Sequence, residues 1–147
     1  LGGLEGGDAN GYYHITAAER TSLSNIEVVA TSGEVLKAGQ PVYVNMGDGL
    51  VYKATANADA TSRVCGFCRA DTVNAAPCTI VFNGGLESSN WTLVTGSVNL
   101  TPGATYYLDT TAGQLTVNAP TVGYSLQVAT AITATKLTIN IQKRILL

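Results

Sequence analysis

From residue 26 to the end, the chain alternates short β-prone segments with turn-forming residues, and this pattern strongly restricts its fold. The segments are about four to eight residues long and rich in Val, Thr, Ile and Tyr, and Gly, Pro, Asn or Asp separate them. Short connections join antiparallel neighbours, so the pattern predicts a mainly β, antiparallel sandwich or barrel. The expected strands are 27–30, 41–45, 49–53, 63–69, 78–83, 91–93, 105–109, 114–117, 125–131 and 136–142.

One stretch of this region occurs twice. Residues 38–52 are echoed by residues 102–116, and a closing strand that begins Cys78-Thr-Ile is echoed by one that begins Leu137-Thr-Ile. An internal repeat of this kind predicts two similar halves of one domain. The matched positions are Gly39 with Gly103, Tyr43 with Tyr107, Asn45 with Asp109, and Gly49 with Gly113.

The first residues have a different character. They are Gly-rich as far as Gly11, and Thr16-Ala-Ala-Glu19 then forms a capping box, in which the Thr16 hydroxyl and the Glu19 side chain satisfy exposed N–H groups. A short helix is expected over 16–23, too short to be stable without packing on another surface. The sequence thus predicts a connector with a short helix over 1–26 and a β domain over 27–147.

Charge and hydropathy exclude several classes of protein. Eight basic residues face ten acidic ones, for a net charge of −2, whereas a surface that holds nucleic acid needs an excess of Lys and Arg. No apolar run reaches the roughly 18–20 residues of a membrane-spanning helix. Neither nucleic acid nor membrane insertion is therefore expected. Only 12% of the residues are charged, about half the usual share of a soluble domain.

The three cysteines are expected to be structural. Cys65 and Cys68 match C-x-x-C, but they lie in a predicted strand, where residues three apart point to opposite faces of the sheet. One metal ion could not easily take both thiolates. Cys78 adds at most a third ligand, so small apolar core residues are the favoured interpretation, with thiol chemistry or metal binding as the alternative.

Catalytic motifs are scarce, and no catalytic residue is predicted. No Ser lies in a nucleophile elbow, no glycine loop leads into a Lys-Ser/Thr pair, and the acidic residues of the β region are dispersed. An acid pair of the glycosidase type would have to come from residues distant in sequence. We therefore expect no enzymatic activity and no cofactor.

One group of residues is a candidate for receptor or glycan binding. Trp91, with the neighbouring Asn90 and Ser89, lies in a loop-rich stretch, where an aromatic ring could stack on a sugar. The longer polar loops are further candidates for contact with a partner. They span 57–61, 71–77, 84–90 and 119–123.

Two stretches resemble proteins of tailed bacteriophages. The segment from Leu4 to Leu23, with Gly6-Gly7 and Tyr12-Tyr-His-Ile-Thr-Ala17, resembles the "Gly-Gly…Tyr-Tyr-His-Leu-Thr-Ala" element of tail fibres and other fibrous virion proteins, with Ile15 in place of Leu. The rest is similar to small β domains at the ends of phage fibres and in head-decorating proteins. This similarity runs from residue 32 through 38–43 and 100–109 to the terminal strand, so that the resemblance covers nearly the whole chain.

The resemblance implies a non-enzymatic virion component, commonly a homotrimer, on the tail or head surface of a phage assembled in the host cytoplasm. Its partners would be further copies of itself, other virion proteins, and a bacterial surface glycan or protein. The apolar end Ile145-Leu-Leu147 fits such self-association, and three copies of His14 near one axis could hold a metal ion or an anion. The scarce charges are then expected to avoid the interface between chains, with Lys and Arg at its rim.

The sequence thus favours the terminal segment of a phage tail fibre or spike that attaches to the bacterial surface. A capsid decoration or head-fibre protein is the alternative. A polysaccharide-degrading enzyme is the third, and the least supported, because no acid pair is evident in the sequence.

Overall fold

The computed structural model describes residues 26–147 and confirms a mainly β domain. Within this range there are eleven strands and one short helix. The elements are β1 (Ile26–Thr31), β2 (Pro41–Val44), β3 (Val51–Lys53), β4 (Gly66–Cys68), β5 (Pro77–Glu87), α1 (Thr92–Thr95), β6 (Thr105–Leu108), β7 (Leu115–Thr116), β8 (Tyr124–Ser125), β9 (Gln127–Ala131), β10 (Lys136–Ile139) and β11 (Ile145–Leu146).

Nine of these strands form one curled antiparallel sheet, which makes a half-barrel. The order across it is β3-β2-β4-β5-β10-β9-β6-β7, and β1 pairs with β5 as an additional neighbour. The two remaining strands, β8 and β11, pair with each other. The predicted sandwich or barrel is therefore realised as an open, strongly curved sheet.

The two halves of the sheet meet in the long strand β5. Its N-terminal part pairs with β1 and β4, where Ile80 lies opposite Cys68, and its C-terminal part pairs with β10, where Leu86 lies opposite Leu137. Between the two parts Gly84 has a φ of 109°, a value that residues with a Cβ rarely adopt. The strand therefore changes course at a glycine as it passes from one half to the other.

The predicted repeat is present in the backbone. Gly39 and Gly103 have φ values of 88° and 83°, and their N–H groups donate to Cys68 and Ala131, each over 2.8 Å. Each residue of this repeat is separated from its equivalent by 64 positions in the chain. Equivalent pairs include Leu36 and Leu100, Val42 and Tyr106, Asn45 and Asp109, Gly49 and Gly113, and Val51 and Leu115.

The closing strands correspond with a shift of two residues from the predicted match. Cys68 and Ala131 are equivalent, because they accept the hydrogen bonds of Gly39 and Gly103. Cys68 is paired with Ile80, and Ala131 is paired with Leu137. Leu137 is therefore the counterpart of Ile80 and not of Cys78. A two-residue shift keeps the same side chains on the same face of a strand. The alternating pattern of the sequence fits both alignments, and only the pairing distinguishes them.

The first strands of the two halves also correspond to each other. The first half opens with β1, and the second half opens with the C-terminal part of β5. Val28 of β1 lies opposite Ile80, and Leu86 of β5 lies opposite Leu137. Val28 and Leu86 are 58 residues apart, not 64, so the second half has six extra residues before Leu100. The helix α1 lies in this insertion.

The predicted strand 91–93 is wrong, because these residues begin α1. Trp91 and Val94 are three residues apart and both are buried, which is a helical spacing. Gly96 ends the helix in the left-handed conformation, with φ at 79°, and its N–H donates to Thr92 O. The short apolar run Trp-Thr-Leu-Val permits strand or helix, and contact with the core decides between them.

Two clusters of buried side chains stabilise the domain. The first-half core contains only residues of the first half: Leu36, Val42, Val51, Cys68, Cys78 and Ile80. The larger shared core takes Phe67 and Val81 from the first half and packs them with residues of the second, among them Leu126, Val128 and Ile139. The two halves are thus joined by a common core as well as by β5.

The predicted connector helix over 16–23 and His14 lie outside the described residues. The β domain is described from Ile26, where β1 begins. Within residues 26–147 no helix has the length and apolar character that crossing a membrane requires.

Candidate functional site

Trp91 is a core residue in this structure, which changes the role assigned to it from the sequence. Its side chain is 1% exposed, and its Nε1 donates to Thr135 O over 3.0 Å. The ring packs beside Gly39, where an added Cβ would lie 2.8 Å from Trp91 Cζ3. The ring therefore presents no exposed face on which a sugar could stack.

The two polar neighbours of Trp91 remain at the surface. Ser89 and Asn90 are exposed, and the Asn90 Oδ1 accepts a hydrogen bond from Thr92 N over 2.9 Å at the start of α1. The Ser88 hydroxyl donates to Asn90 O over 3.1 Å. Asn90 thus has a structural role in the turn before the helix, whereas the Ser89 side chain makes no hydrogen bond to the described residues.

A polar cleft lies at the end of the second half, around the hairpin of β6 and β7. It consists of two adjoining depressions of about 280 Å³ each, which share Asp109, Thr116 and Asn118. One depression extends to the segment after α1, and the other to the loop 119–122. Of the loops proposed from the sequence, 119–123 therefore contributes to a cleft, whereas much of 84–90 belongs to strand β5.

The hairpin between β6 and β7 determines the position of Asp109. The Asp109 N–H donates to Gln114 O over 3.0 Å, and its Oδ1 accepts from Thr111 N and from the Thr110 hydroxyl, each over 3.2 Å. On the opposite strand the Thr116 hydroxyl accepts from Asn118 N over 3.1 Å. Carboxylate, hydroxyl and amide groups thus line the floor shared by the two depressions.

The other wall of the polar cleft carries a regular set of polar side chains. These are Thr95, Ser97, Asn99 and Thr101. They alternate in sequence with Gly96, Val98 and Leu100, but the segment is not a strand: it leaves the end of α1 and bends, with Gly96 at a φ of 79°. Sequence reasoning missed this wall, although the alternation of polar residues was a signal that could have found it. Chemically, the cleft offers hydrogen-bond partners to a hydroxylated ligand, and the depression beside the loop 119–122 adds apolar surface from Pro120 and Val122.

The C-terminal patch is the second surface feature of this region. It consists of Val122, Ile145, Leu146 and Leu147, whose exposed fractions are 67%, 61%, 70% and 54%. Pairing of β11 with β8 and a hydrogen bond from Leu147 N to Gly123 O over 2.9 Å bring these residues together. Ile145 and Leu146 are consecutive in β11 and face opposite ways, but three consecutive exposed apolar residues with Val122 nearby still exceed the scattered exposure that is normal for a monomer.

The cysteines occupy the positions of core residues. The Sγ atoms of Cys68 and Cys78 lie 3.7 Å apart as free thiols, and Cys65 is half-buried with its thiol 3.5 Å from Val42 O. Burial, and next the nearby Cys78, raise the pKa of Cys68 to about 12. Within the described residues no group of three or more His, Cys, Asp or Glu side chains could hold a metal ion.

No protein-family model matches this chain, and a search of curated proteins finds no significant match. The functional interpretation therefore depends on the residues and their arrangement.

Proposed function

We propose that this chain is the terminal part of a tailed-bacteriophage fibre or spike, a structural virion protein that attaches to the bacterial surface. The observation that carries the proposal is the element Tyr12-Tyr-His-Ile-Thr-Ala17 with its Gly-rich approach, which leads within ten residues into the first strand of the β domain. A connector that enters a compact β domain is the arrangement expected of a fibre end. In this proposal the domain has no catalytic task.

Self-association as a homotrimer is part of the proposal, and the C-terminal patch supports it. Burial of apolar area stabilises an interface by about 25 cal/mol per Å², and four large exposed side chains supply such area. Arg144 and Lys143 directly precede the patch and would lie at its rim, as the sparse charge of the chain leads one to expect.

Sedimentation velocity of the full chain at micromolar concentration tests the assembly. We expect a species of three times the 15.2-kDa mass of one chain. Leu146→Ser should shift it toward the monomer, because it removes apolar area from the patch, whereas Leu93→Ser on α1, where Leu93 is 62% exposed, should not. A wild-type chain that sediments as a clean monomer would overturn the fibre-trimer proposal.

Attachment is tested separately with fluorescently labelled full chain on a panel of bacterial strains with different surface polysaccharides. Saturable binding to some strains, competed by unlabelled chain, supports the proposal. Equal binding to every strain, or binding to none, contradicts it. Release of surface glycan during the incubation would instead favour an enzyme.

The polar cleft is the surface that we propose for the receptor. Its hydroxyl and amide groups suit the hydroxyls of a glycan, and two positions, Asn118 and Asn99, lie in it without a structural side-chain hydrogen bond among residues 26–147. Asn118→Ala should weaken binding to the strains that the wild-type chain recognises. Asn74→Ala removes an exposed amide outside the polar cleft and serves as the matched control.

A further inference from the structure

A second cleft, here called the basic cleft, is lined by residues that directly follow β8 and directly precede β11. It has a volume of about 310 Å³. Its polar lining includes Ser62, Arg63, Lys143 and Arg144, and its apolar lining consists of Val64, Leu126 and Ile141. The cleft thus combines three cationic side chains with a hydrophobic floor.

Elsewhere on the domain, each positive charge has one acidic neighbour, and three of the four form an ion pair with it. Lys37 pairs with Asp71, Lys53 with Glu34, and Arg69 with Glu27, while Lys136 lies opposite Glu87 on the neighbouring strand. These four, with the three of the basic cleft, are all the lysines and arginines of residues 26–147. Local excess positive charge is therefore concentrated at the cleft.

One carboxylate serves two of the three cations there. Asp59 forms ion pairs with Arg63 and, over 2.9 Å, with Arg144, and Lys143 has no ion-pair partner within the described chain. The hydrogen bond from Arg63 holds the pKa of Asp59 below its ordinary value, so this group carries a single negative charge at neutral pH. Three positive charges against one negative charge leave two uncompensated, on a chain whose net charge is −2.

Arg144 is held in place before any ligand arrives. Its Nη1 donates to Asp59 O over 2.6 Å and to the Ser62 hydroxyl over 3.0 Å, and its guanidinium carbon lies 5.3 Å from the centre of the Tyr124 ring. These contacts use only Nη1, so the donors on Nη2 and Nε have no protein acceptor within residues 26–147. A fixed guanidinium with unused donors is well suited to bind a carboxylate or phosphate group.

From this geometry we propose that the basic cleft binds the acidic group of a sugar, a uronic acid carboxylate or a sugar phosphate, within a bacterial surface glycan. Arg144 and Lys143 would contact the anion, and the apolar floor would accept the C–H face of the sugar ring. The inference rests on the proposed function for the choice of a surface glycan. The anion preference rests on the cleft alone.

The test titrates the full chain with glucuronate, glucose 6-phosphate, glucose and inorganic phosphate, and follows the backbone amide signals of 62–64 and 141–144 by NMR. We expect saturable shifts with at least one acidic sugar, at concentrations where glucose gives none and inorganic phosphate binds more weakly. Comparison of the two acidic sugars shows which anion is preferred. Equal responses to glucose and to the acidic sugars, or no response to either acidic sugar, would overturn the proposal.

Lys143→Gln is the main variant, because no ion pair of the fold depends on Lys143. It should weaken binding of the preferred acidic sugar about threefold to fivefold, which is the usual scale for one exposed charge. Lys37→Gln changes the net charge equally at a distant ion pair and should leave binding unchanged. Equal weakening by both variants would mean that only the overall charge matters, and would contradict a specific cleft.

The outcomes for this site and for the fibre proposal are separable. If the chain is monomeric and binds acidic sugars, the trimer proposal is overturned and the proposal for the basic cleft is supported. If the chain is a trimer that binds bacteria but not acidic sugars, only the proposal for the basic cleft is overturned.

Discussion

Gly39 and Gly103 occupy the same turn in the two halves and have nearly the same backbone conformation, but their surroundings differ. An added Cβ at Gly39 would lie 2.8 Å from the Trp91 ring and 3.3 Å from Val94 Cγ2, whereas Gly103 has open space around it. Alanine at either position would have to adopt the left-handed conformation, which costs about 1–2 kcal/mol of stability. Only the alanine at position 39 would also crowd its neighbours, and this overpacking costs about 1–3 kcal/mol of further stability.

We therefore expect Gly39→Ala to lower the free energy of unfolding more than Gly103→Ala does, by about that overpacking cost. Urea unfolding of the two variants and the wild type, followed by circular dichroism, measures the difference. Equal losses would mean that the Trp91 ring moves aside without cost.

A second residue-scale prediction concerns pH. Because burial and Cys78 raise the pKa of Cys68 from 9.0 to about 12, the folded chain keeps this thiol protonated where the unfolded chain ionises it. The stability that this provides is complete below pH 9 and is lost as the pH rises from 9 towards 12.

The wild-type free energy of unfolding should consequently fall more steeply over this pH window than that of Cys68→Ala. Urea unfolding at pH 7, 9 and 10.5 in a reducing buffer checks this, and the variant accounts for all other titrating groups. Parallel curves for the two proteins would contradict the burial of the thiol.

The cysteines also show what spacing could predict. Residues three apart in a strand point to opposite faces, but Cys65 lies just before β4 and packs against the first-half core that also contains Cys68. The close approach of Cys68 to Cys78 depends on the pairing of β4 with β5. Strand pairing is a long-range property, and the local pattern around each cysteine does not contain it.

At the scale of the elements, Gly84 is the critical position of β5. Its φ of 109° allows the strand to leave β1 and join β10, and an L side chain there is strained by about 1–3 kcal/mol. Gly84→Ala should lower the free energy of unfolding by that amount. Gly47→Ala is the control, since Gly47 is not in the left-handed conformation and its added Cβ would meet only the Asn45 side-chain oxygen, at 3.2 Å. Equal effects of the two in urea unfolding would show that the bend does not require glycine.

The elements also mark the limit of sequence reading. Strands were predicted near most of their actual positions because alternation and turn residues are local signals, as in β1 and β6. The sequence around α1 predicts a strand, because the helical form of this segment depends on packing of Trp91 and Val94 into the shared core. The strand β11 was not predicted, since it is a two-residue pair made only with β8.

At the scale of the whole molecule, the shared core predicts that the two halves unfold together. Leu36 is fully buried in the first-half core, and Trp91, the single tryptophan, reports on the shared core. Leu36→Ala should destabilise the domain by about 2–5 kcal/mol and shift the Trp91 fluorescence transition and the circular dichroism transition equally. Leu100→Ala, at the equivalent position of the second half, should behave alike. Loss of β structure before the fluorescence change in Leu36→Ala would indicate independent halves.

The repeat and the β class can be predicted from the sequence, because both follow from local patterns, such as the matched turn glycines Gly39 and Gly103. The polar cleft and the basic cleft were not. Arg144 reaches Asp59 across 85 positions of the chain, and Asp109 meets the wall at Thr95 only through the folding of the sheet. Sites assembled in this way depend on topology, which residue spacing does not specify.

The strand β5, shared between the halves, has a consequence for how such a domain can change in length over evolution. Because the last strand of one unit is also the first strand of the next, a duplicated unit begins on a strand that is already paired and needs no linker. Gain or loss of only part of such a unit would leave a strand without its neighbour, and the unpaired edge of the sheet would promote aggregation. Viable descendants of this gene should therefore differ by whole units of close to 58 residues, the separation of Val28 and Leu86.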